Sequence, residues 1–226
     1  MTRSIYRGSK AEVIYVGAEA VLIKSTFLGF KAVYKFRVSK PYRDLRLDSE
    51  VRRARTINES RILINARLSG VNVPVVFYVD IDKALIVMEY IEGGLLKDVL
   101  SSVSVTQACS IIEDVGVLTG RLHKAGIVHG DLTTSNIIVS PNGKVYAVDF
   151  GLARFSSEVE DRGVDVHLFI RSLESTHYSY ASKVVSCFLR GYGKVVGSEL
   201  ADLIKDKVKE IRMRGRYVEE RRRGGM

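Results

Sequence analysis

Two short motifs in the second half of the chain combine residue types that phosphate chemistry needs. The first is His129-Gly130-Asp131-Leu132-Thr133-Thr134-Ser135-Asn136, and the second is Asp149-Phe150-Gly151. In phosphoryl transfer with magnesium, one carboxylate positions the attacking hydroxyl or water, while an amide oxygen and a second carboxylate hold the metal that bridges the phosphates. An isolated Asp-Phe-Gly would be weak evidence, but the two motifs in this order are specific. They predict Asp131 as the catalytic residue and Asn136 and Asp149 as metal ligands.

The residues before these motifs predict a small sheet-rich lobe. Short β-branched and aromatic runs over residues 11–40 indicate an antiparallel meander. A helical pattern follows, with Asp48 as its expected N-cap and Gly70 at its end. Residues 73–80 and 84–90 resemble two further strands, and the order predicts an α+β lobe. The positions expected at helical spacing are Val51, Ala54, Ile57, Arg61 and Leu68.

After Gly93-Gly94 the pattern becomes helical. Short strands are expected at residues 137–139 and 145–148, around the turn Pro141-Asn142-Gly143. The apolar stripe of the longest predicted helix consists of Ala108, Ile111, Ile112, Val115, Leu118 and Leu122, and that of the last helix of Leu200, Leu203, Ile204, Val208 and Ile211. The fold class is therefore α+β with two lobes: an N-lobe at 1–88, a hinge and helical C-lobe at 89–211, and a basic tail at 212–226. A cleft between two lobes is a common ligand site.

The catalytic motifs resemble those of the eukaryotic-like protein kinase superfamily. The resemblance implies ATP and Mg²⁺ as ligands, a strand lysine that holds the α- and β-phosphates, and a helix glutamate that orients it. Lys35 and Glu59 occupy the matching positions. Residues 85–91 match the hinge, where the carbonyl of Glu89 and the amide of Ile91 would bind adenine. Met88 would lie behind the base.

The chain departs from the superfamily in three places. Gly17-Ala18-Glu19-Ala20 replaces the glycine-rich loop, and these four residues are expected to cover the phosphates. Gly130 stands where regulated kinases have an arginine that reads a phosphorylated loop. Only 13 residues separate Gly151 from Asp165, which matches the buried aspartate that braces the catalytic loop. An activation segment and a peptide-docking platform are therefore expected to be missing.

A narrower resemblance extends over nearly the whole chain. It rests on the motifs Lys40-Pro41-Tyr42-Arg43, Leu47-Asp48, residues 55–61, Gly70-Val71-Asn72-Val73-Pro74, the catalytic loop and the terminal Arg216-Tyr217-Val218-Glu219. These are similar to the kinase-subunit family of the KEOPS complex, which is itself similar to the RIO kinases. The resemblance implies an atypical serine/threonine kinase that acts chiefly as an ATPase and supports threonylcarbamoyl modification of adenosine in tRNA. It further implies a catalytic partner subunit on the helical lobe, a smaller subunit on the sheet lobe, and an archaeal source.

Composition limits the class of protein and its partners. The 226 residues are 46% hydrophobic and 27% charged, which excludes global disorder. No run resembles a membrane span and no secretory leader is recognisable, so a cytoplasmic protein without a membrane segment is expected. The net charge of +9 favours polyanionic partners. Cys109 and Cys187 are expected to be buried free thiols, as is usual inside cells.

The basic carboxy terminus has two interpretations. It could be a solubilising extension, as charge runs usually are, or it could bind tRNA phosphates or an acidic partner surface. Alternatives also remain for the whole chain: a RIO-type or small-molecule kinase, and a catalytically inactive RNA-binding scaffold. The filled metal and catalytic positions disfavour the scaffold. The sequence does not decide whether the phosphate acceptor is water, this chain or a partner.

Overall fold

A computed structural model describes residues 11–177 and 179–223, with side chains as far as Arg214. The described chain packs as two compact units. The sheet unit comprises residues 11–64 and 74–91, and the helical unit comprises residues 65–73 and 92–223. Within the described residues, no helix is long and apolar enough to cross a membrane. The predicted terminal motif at residues 216–219 has side chains outside this description.

The sheet unit contains a five-stranded antiparallel sheet with strand order β1-β2-β3-β5-β4. Its strands are β1 Glu12–Val16, β2 Ala20–Phe27, β3 Phe30–Arg37, β4 Val76–Asp80 and β5 Leu85–Glu89. Buried Ala32 and Tyr34 of β3 pack with Leu85 and Val87 of β5 because alternate residues of a strand share a face. The predicted order of three strands, a helix and two strands is therefore found. The strand expected from residue 73 begins only at Val76.

Helix α1, Leu45–Leu68, begins one turn earlier than predicted. Asp44 is its cap, because its Oδ1 accepts from the amides of Arg46 and Leu47 at 3.0 and 3.2 Å. The prediction of Asp48 as the N-cap was wrong. The buried Asp48 carboxylate instead binds the preceding loop, accepting from the Ser39 hydroxyl at 2.8 Å and the Lys40 amide at 3.1 Å, among other donors.

The helical stripe predicted for α1 was also wrong, because most of it faces solvent. Leu68 is 81% exposed, and Ala54, Ile57 and Arg61 are exposed as well. The opposite face is buried and carries polar residues among apolar ones: Thr56, Glu59, Ser60, Ile62, Leu63 and Ala66. The apolar pattern failed here because this helix must bury a carboxylate, so its inner face cannot be uniformly apolar.

The helical unit contains five helices and two small sheets within its described residues. The helices are α2 Leu96–Val99, α3 Val105–Lys124, α4 Val159–Thr176, α5 Ala181–Val196 and α6 Ser198–Arg223. One sheet has the order β6-β8-β9, and the other pairs β10 with β7. These strands are β6 Gly94–Leu95, β7 Ile127–Val128, β8 Ile137–Val139, β9 Val145–Ala147 and β10 Arg154–Phe155. The two strands predicted around Pro141-Asn142-Gly143 are present as β8 and β9.

Helices α3 and α5 lie close enough for their backbones to touch. A Cβ on Gly116 would lie 2.1 Å from the Phe188 carbonyl oxygen, and one on Gly191 would lie 2.0 Å from the Glu113 carbonyl oxygen. The approach brings Cys109 and Cys187 to a Cα–Cα distance of 5.5 Å, and they form a disulfide. The expectation of two free thiols was therefore wrong. Their separation of 78 residues in the sequence conceals a contact that depends on this helix pair.

Helix α6 continues through most of the segment that was predicted as a tail from residue 212. The segment is rich in Arg and Glu, which are strong helix formers, and its two described basic side chains are paired. Arg212 contacts Glu174 at 2.5 Å, and Arg214 contacts Glu160 at 2.8 Å. These two arginines therefore tie α6 to α4. The predicted end of the apolar stripe at Ile211 does not end the helix.

Candidate active site

A buried cluster on strand β3 and helix α1 holds the predicted phosphate-binding lysine. Lys35 Nζ donates to Glu59 Oε1 at 2.6 Å, as predicted for an orienting pair. Arg37 Nη2 donates to the other carboxylate oxygen, Glu59 Oε2, at 2.5 Å. The three side chains are 8%, 1% and 5% exposed for Lys35, Glu59 and Arg37, so these charges interact with little solvent screening. Glu59 is thus held by two cations.

Arg37 is a site residue that the sequence interpretation missed. It lies two residues after Lys35, and side chains two apart on a strand project from the same face. A helix that supplies a carboxylate to Lys35 is therefore also within reach of Arg37. The spacing of two residues between Lys35 and Arg37 could therefore have predicted that Arg37 also contacts Glu59. Arg37 further contacts the backbone carbonyl of Arg55 in α1 at 3.4 Å, so it attaches the helix to the strand through two groups.

The segment that replaces a glycine-rich loop is a tight turn between β1 and β2. The amide of its first residue donates to the carbonyl of its last across residues 17–20, at 3.0 Å. Arg55 Nη1 binds Glu19 Oε2 at 2.5 Å, and Lys40 Nζ donates to the Ala18 carbonyl. Exposed ion pairs contribute little stability, but these contacts connect the turn to α1 and its preceding loop. The predicted phosphate contacts of residues 17–20 remain predictions.

The predicted hinge residues lie at the end of β5. Met88 and Ile91 are buried, and Glu89 is fixed by both its backbone and its side chain. The Glu89 amide donates to the Val75 carbonyl at 2.8 Å, and its Oε2 accepts from the Val75 amide at 3.2 Å. This reciprocal pair holds the backbone after β5 in one position. Adenine binding by the Glu89 carbonyl and the Ile91 amide remains a prediction.

The predicted catalytic loop brings Asp131 and Asn136 together. Asn136 Nδ2 donates to the Asp131 carbonyl at 2.8 Å and to Asp131 Oδ2 at 2.9 Å. The backbone amide of Asn136 donates to the Thr133 carbonyl at 3.0 Å, and the backbone amide of Val148 donates to the Asn136 carbonyl at 2.9 Å. The side-chain amide of Asn136 therefore sets the orientation of the predicted catalytic carboxylate of Asp131. The same bonds direct the Asn136 Oδ1 oxygen away from Asp131.

His129 connects the catalytic loop to the predicted metal loop. Its Nε2 donates to the Val148 carbonyl at 3.1 Å, and its Nδ1 accepts from the Asp131 amide at 3.3 Å. Its ring also packs against Phe150 at a centroid distance of 4.7 Å. Asp149 lies between these two contacts in the left-handed backbone region, with φ of 60°. The sequence interpretation gave His129 no role, although the structure makes it the link between Asp131 and Asp149.

The catalytic loop is braced from below by Asp165, as predicted. Asp165 Oδ2 accepts from the His129 amide at 2.5 Å, and Oδ1 accepts from the Gly130 amide at 2.7 Å. Gly130 has φ of +78°, and a Cβ there would lie 2.4 Å from the Leu152 carbonyl oxygen. Glycine at this position is therefore required by the backbone. It allows the segment after Asp149 to pack directly on the catalytic loop.

The donor set of the helical unit suits magnesium bound with a phosphorylated substrate. Asp149 is exposed and offers a carboxylate, and Asn136 offers an amide oxygen; both are hard ligands. Magnesium is usually held by one or two protein carboxylates together with substrate phosphates. Among the described residues no group of three or more His, Cys, Asp or Glu side chains could hold a metal ion.

Comparison with known proteins defines the class first. A family model described as the protein kinase domain matches residues 32–193. The Rio2 kinase from Chaetomium thermophilum has a similar structure, with a TM-score of 0.60 and 18% identity over 91% of this chain and 72% of that one. At that identity the likeness establishes the fold. It confirms the predicted kinase-like α+β architecture.

Relatives in archaea define the family. The KEOPS complex subunit Bud32 of Pyrococcus abyssi is 44% identical over 92% of this chain and 97% of its own length. A protein of Methanothermobacter thermautotrophicus that is named "probable bifunctional tRNA threonylcarbamoyladenosine biosynthesis protein" is 43% identical over 92% of this chain, but the chain spans only 37% of that protein. The chain therefore belongs to the Bud32 family, within the protein kinase superfamily.

Proposed function

We propose that this chain binds ATP with Mg²⁺ and cleaves the γ-phosphate, chiefly as an ATPase and also as a serine/threonine kinase. The observation that carries the proposal is the bond from Asn136 Nδ2 to Asp131 Oδ2 at 2.9 Å. It fixes one oxygen of the catalytic carboxylate and leaves Oδ1 to receive the proton of the attacking group. It also directs the Asn136 amide oxygen towards a metal that Asp149 would share.

In the proposed reaction, the oxygen of water or of a serine or threonine hydroxyl bonds to the γ-phosphorus. The bond from that phosphorus to the β–γ bridging oxygen breaks, ADP leaves, and Asp131 accepts the proton of the nucleophile. Lys35, held by Glu59, binds the α- and β-phosphates, and the backbone at Glu89 and Ile91 binds adenine. When bound, magnesium neutralises charge that develops on the phosphate oxygens. The residues that would hold it are Asn136 and Asp149.

Activity is proposed to be independent of loop phosphorylation. Gly130 lacks the guanidinium that would read a phosphate, and its close contact with Leu152 already fixes the segment after Asp149. Chain treated with a phosphatase should therefore hydrolyse ATP at the same rate as untreated chain. A large loss of activity after this treatment would contradict the proposal. Generic peptides should be poor substrates because the docking platform is expected to be missing.

The test of ATP cleavage uses γ-labelled ATP and separates label in inorganic phosphate from label on protein. Asp149→Asn and Asp131→Asn should each reduce turnover by about 10³-fold or more, since each removes a charge needed in the transition state. Their melting temperatures without nucleotide should stay near that of the wild type. Asp206→Asn, which removes an exposed carboxylate of α6, is the matched control and should retain full turnover. Normal turnover in either site variant would remove that residue from the mechanism.

We further propose that the ATP reaction supports threonylcarbamoyladenosine formation on tRNA within a KEOPS-type complex. The support is the names of the relatives: one is called a KEOPS complex subunit, and another, of which this chain spans 37%, is called a tRNA threonylcarbamoyladenosine biosynthesis protein. A separate catalytic subunit would then bind the helical unit of this chain, and a smaller subunit the sheet unit. Turnover should rise when partners and tRNA are added. Deleting residues 216–226 should lower the salt dependence of tRNA binding if the terminus binds phosphate.

A further inference from the structure

A buried series of hydrogen bonds joins helix α5 to the catalytic loop. It consists of Tyr192 on α5, His123 on α3 and Asp165 on α4, each at most 1% exposed. The Tyr192 hydroxyl lies 2.9 Å from His123 Nδ1, and His123 Nε2 lies 3.3 Å from Asp165 Oδ2. The same carboxylate accepts from the amides of His129 and Gly130. A helix outside the catalytic motifs is thereby connected to the loop that carries Asp131.

The position of each proton in this series follows from the donors and acceptors available. The backbone amides of His129 and Gly130 donate to Asp165, so this carboxylate acts as the acceptor toward the imidazole as well. The imidazole then carries its own proton on Nε2, which faces Asp165. Asp165 thus receives three N–H groups on two oxygens, and Nδ1 of His123 is left to accept from the Tyr192 hydroxyl. Burial raises the pKa of Tyr192, so the phenol keeps the proton that it donates.

We propose that Tyr192 is a positioning residue for the catalytic loop. By donating to His123 it fixes the tautomer that donates to Asp165, and so holds the carboxylate on the amides of His129 and Gly130. The inference rests on the proposed function because the braced loop carries Asp131. Without the hydroxyl, a proton on Nδ1 would turn the Nε2 lone pair toward the carboxylate, and a proton kept on Nε2 would leave Nδ1 buried and unsatisfied.

The close packing of α3 and α5 explains how Tyr192 reaches His123. A Cβ on Gly116 would lie 2.8 Å from the Tyr192 amide nitrogen, and one on Gly120 would lie 3.2 Å from its carbonyl oxygen. The Tyr192 backbone therefore lies directly against α3, and its ring meets His123 edge-on at a centroid distance of 5.5 Å. Larger residues at the two glycines would separate the helices and lengthen the bond.

The test compares Tyr192→Phe with Tyr180→Phe, which also removes a hydroxyl next to a histidine. Tyr180 donates to the Leu100 carbonyl at 2.7 Å and lies 3.2 Å from His177 Nδ1. Tyr192→Phe should raise hydrogen exchange at the His129 and Gly130 amides about tenfold and lower kcat about tenfold, since one buried hydrogen bond is lost. The KM for ATP should not change. Tyr180→Phe should leave exchange and kcat at wild-type values.

Two further measurements separate positioning from general destabilisation. Nitrogen-15 spectra of the four histidines should show His123 as the Nε2–H tautomer in the wild type. The His123 signal should change in Tyr192→Phe and stay unchanged in Tyr180→Phe. In a His123→Gln background, Tyr192→Phe should lower kcat no further, because the route through the imidazole is already absent. Unchanged exchange at His129 and Gly130 in Tyr192→Phe would overturn the inference, as would an equal effect of Tyr180→Phe. Changed exchange in a chain whose wild type never cleaves ATP would refute the proposed function and leave the positioning role intact.

Discussion

Replacing Glu59 with glutamine should destabilise the sheet unit more than removing either cation that contacts it. Lys35 and Arg37 each bind one oxygen of this carboxylate, at 2.6 and 2.5 Å, and all three side chains are buried. Glu59→Gln removes one charge-assisted contact from each cation, so two buried ion-pair contacts are lost at once. Removing the partner of a buried charge typically costs about 3–5 kcal/mol, and we expect a loss in that range.

Lys35→Met and Arg37→Met should each cost only about 1–2 kcal/mol, because Glu59 keeps its other cation and loses a single charge-assisted bond. The two variants should differ in function. Lys35→Met should abolish ATP turnover because it removes the phosphate ligand. Arg37→Met should retain measurable turnover because the Lys35–Glu59 pair survives.

Urea denaturation followed by far-ultraviolet circular dichroism measures these differences, with the m-value checked because two units can unfold separately. The wild type and the two methionine variants are the controls for Glu59→Gln. If Arg37→Met loses as much stability as Glu59→Gln, Glu59 is not shared between two cations. If Glu59→Gln unfolds at the wild-type midpoint, the cluster makes no net contribution to folding.

Three further outcomes are expected. Gly191→Ala should lower the free energy of urea unfolding by about 1–3 kcal/mol, because its Cβ would overlap the α3 backbone. Gly193→Ala has room for a Cβ and should be neutral or stabilise by up to about 1 kcal/mol. Equal stability of the two variants would contradict the close contact between the helices. The double replacement of Cys109 and Cys187 by serine should lower the free energy of unfolding by about 4 kcal/mol, and dithiothreitol should do the same to the wild type but not to the variant. Burial acts to raise the pKa of Asp48, but hydrogen bonds from three neighbours outweigh it and hold that pKa at about 2, below the ordinary 3.8. The stabilising effect of the Asp48 carboxylate is therefore present above about pH 4 and is lost as the pH falls through about 2. Asp48→Asn should flatten acid unfolding over this interval, and an unchanged pH profile would refute the assignment.

The sequence predicted the parts of the site that depend on short spacing. Asp131 and Asn136 share one loop, and their spacing of five positions is enough to bring their side chains together. Lys35 and Glu59 were predicted from the order of elements and their match to a known family, and they do form a pair. Such contacts follow from local geometry and element order.

The sequence failed where a contact depends on how two elements pack. The exposed face of α1 was predicted to be the buried one, because the face that is buried carries the polar residues Thr56 and Glu59. The Cys109–Cys187 disulfide requires an α3–α5 approach that only the glycines permit. The pattern of apolar residues does not reveal the distance between α3 and α5, because that distance depends on glycines that have no Cβ at the contact.

The disulfide has a consequence for the topology of the helical unit. It joins Cys109 to Cys187, so the segment between them forms a covalently closed ring. Asp131, Asn136 and Asp149 all lie on that ring. A single break at the exposed β8–β9 turn would open the ring and leave one continuous molecule, with both new ends still attached through sulfur. The catalytic segments would separate only after a second event, reduction of the bridge.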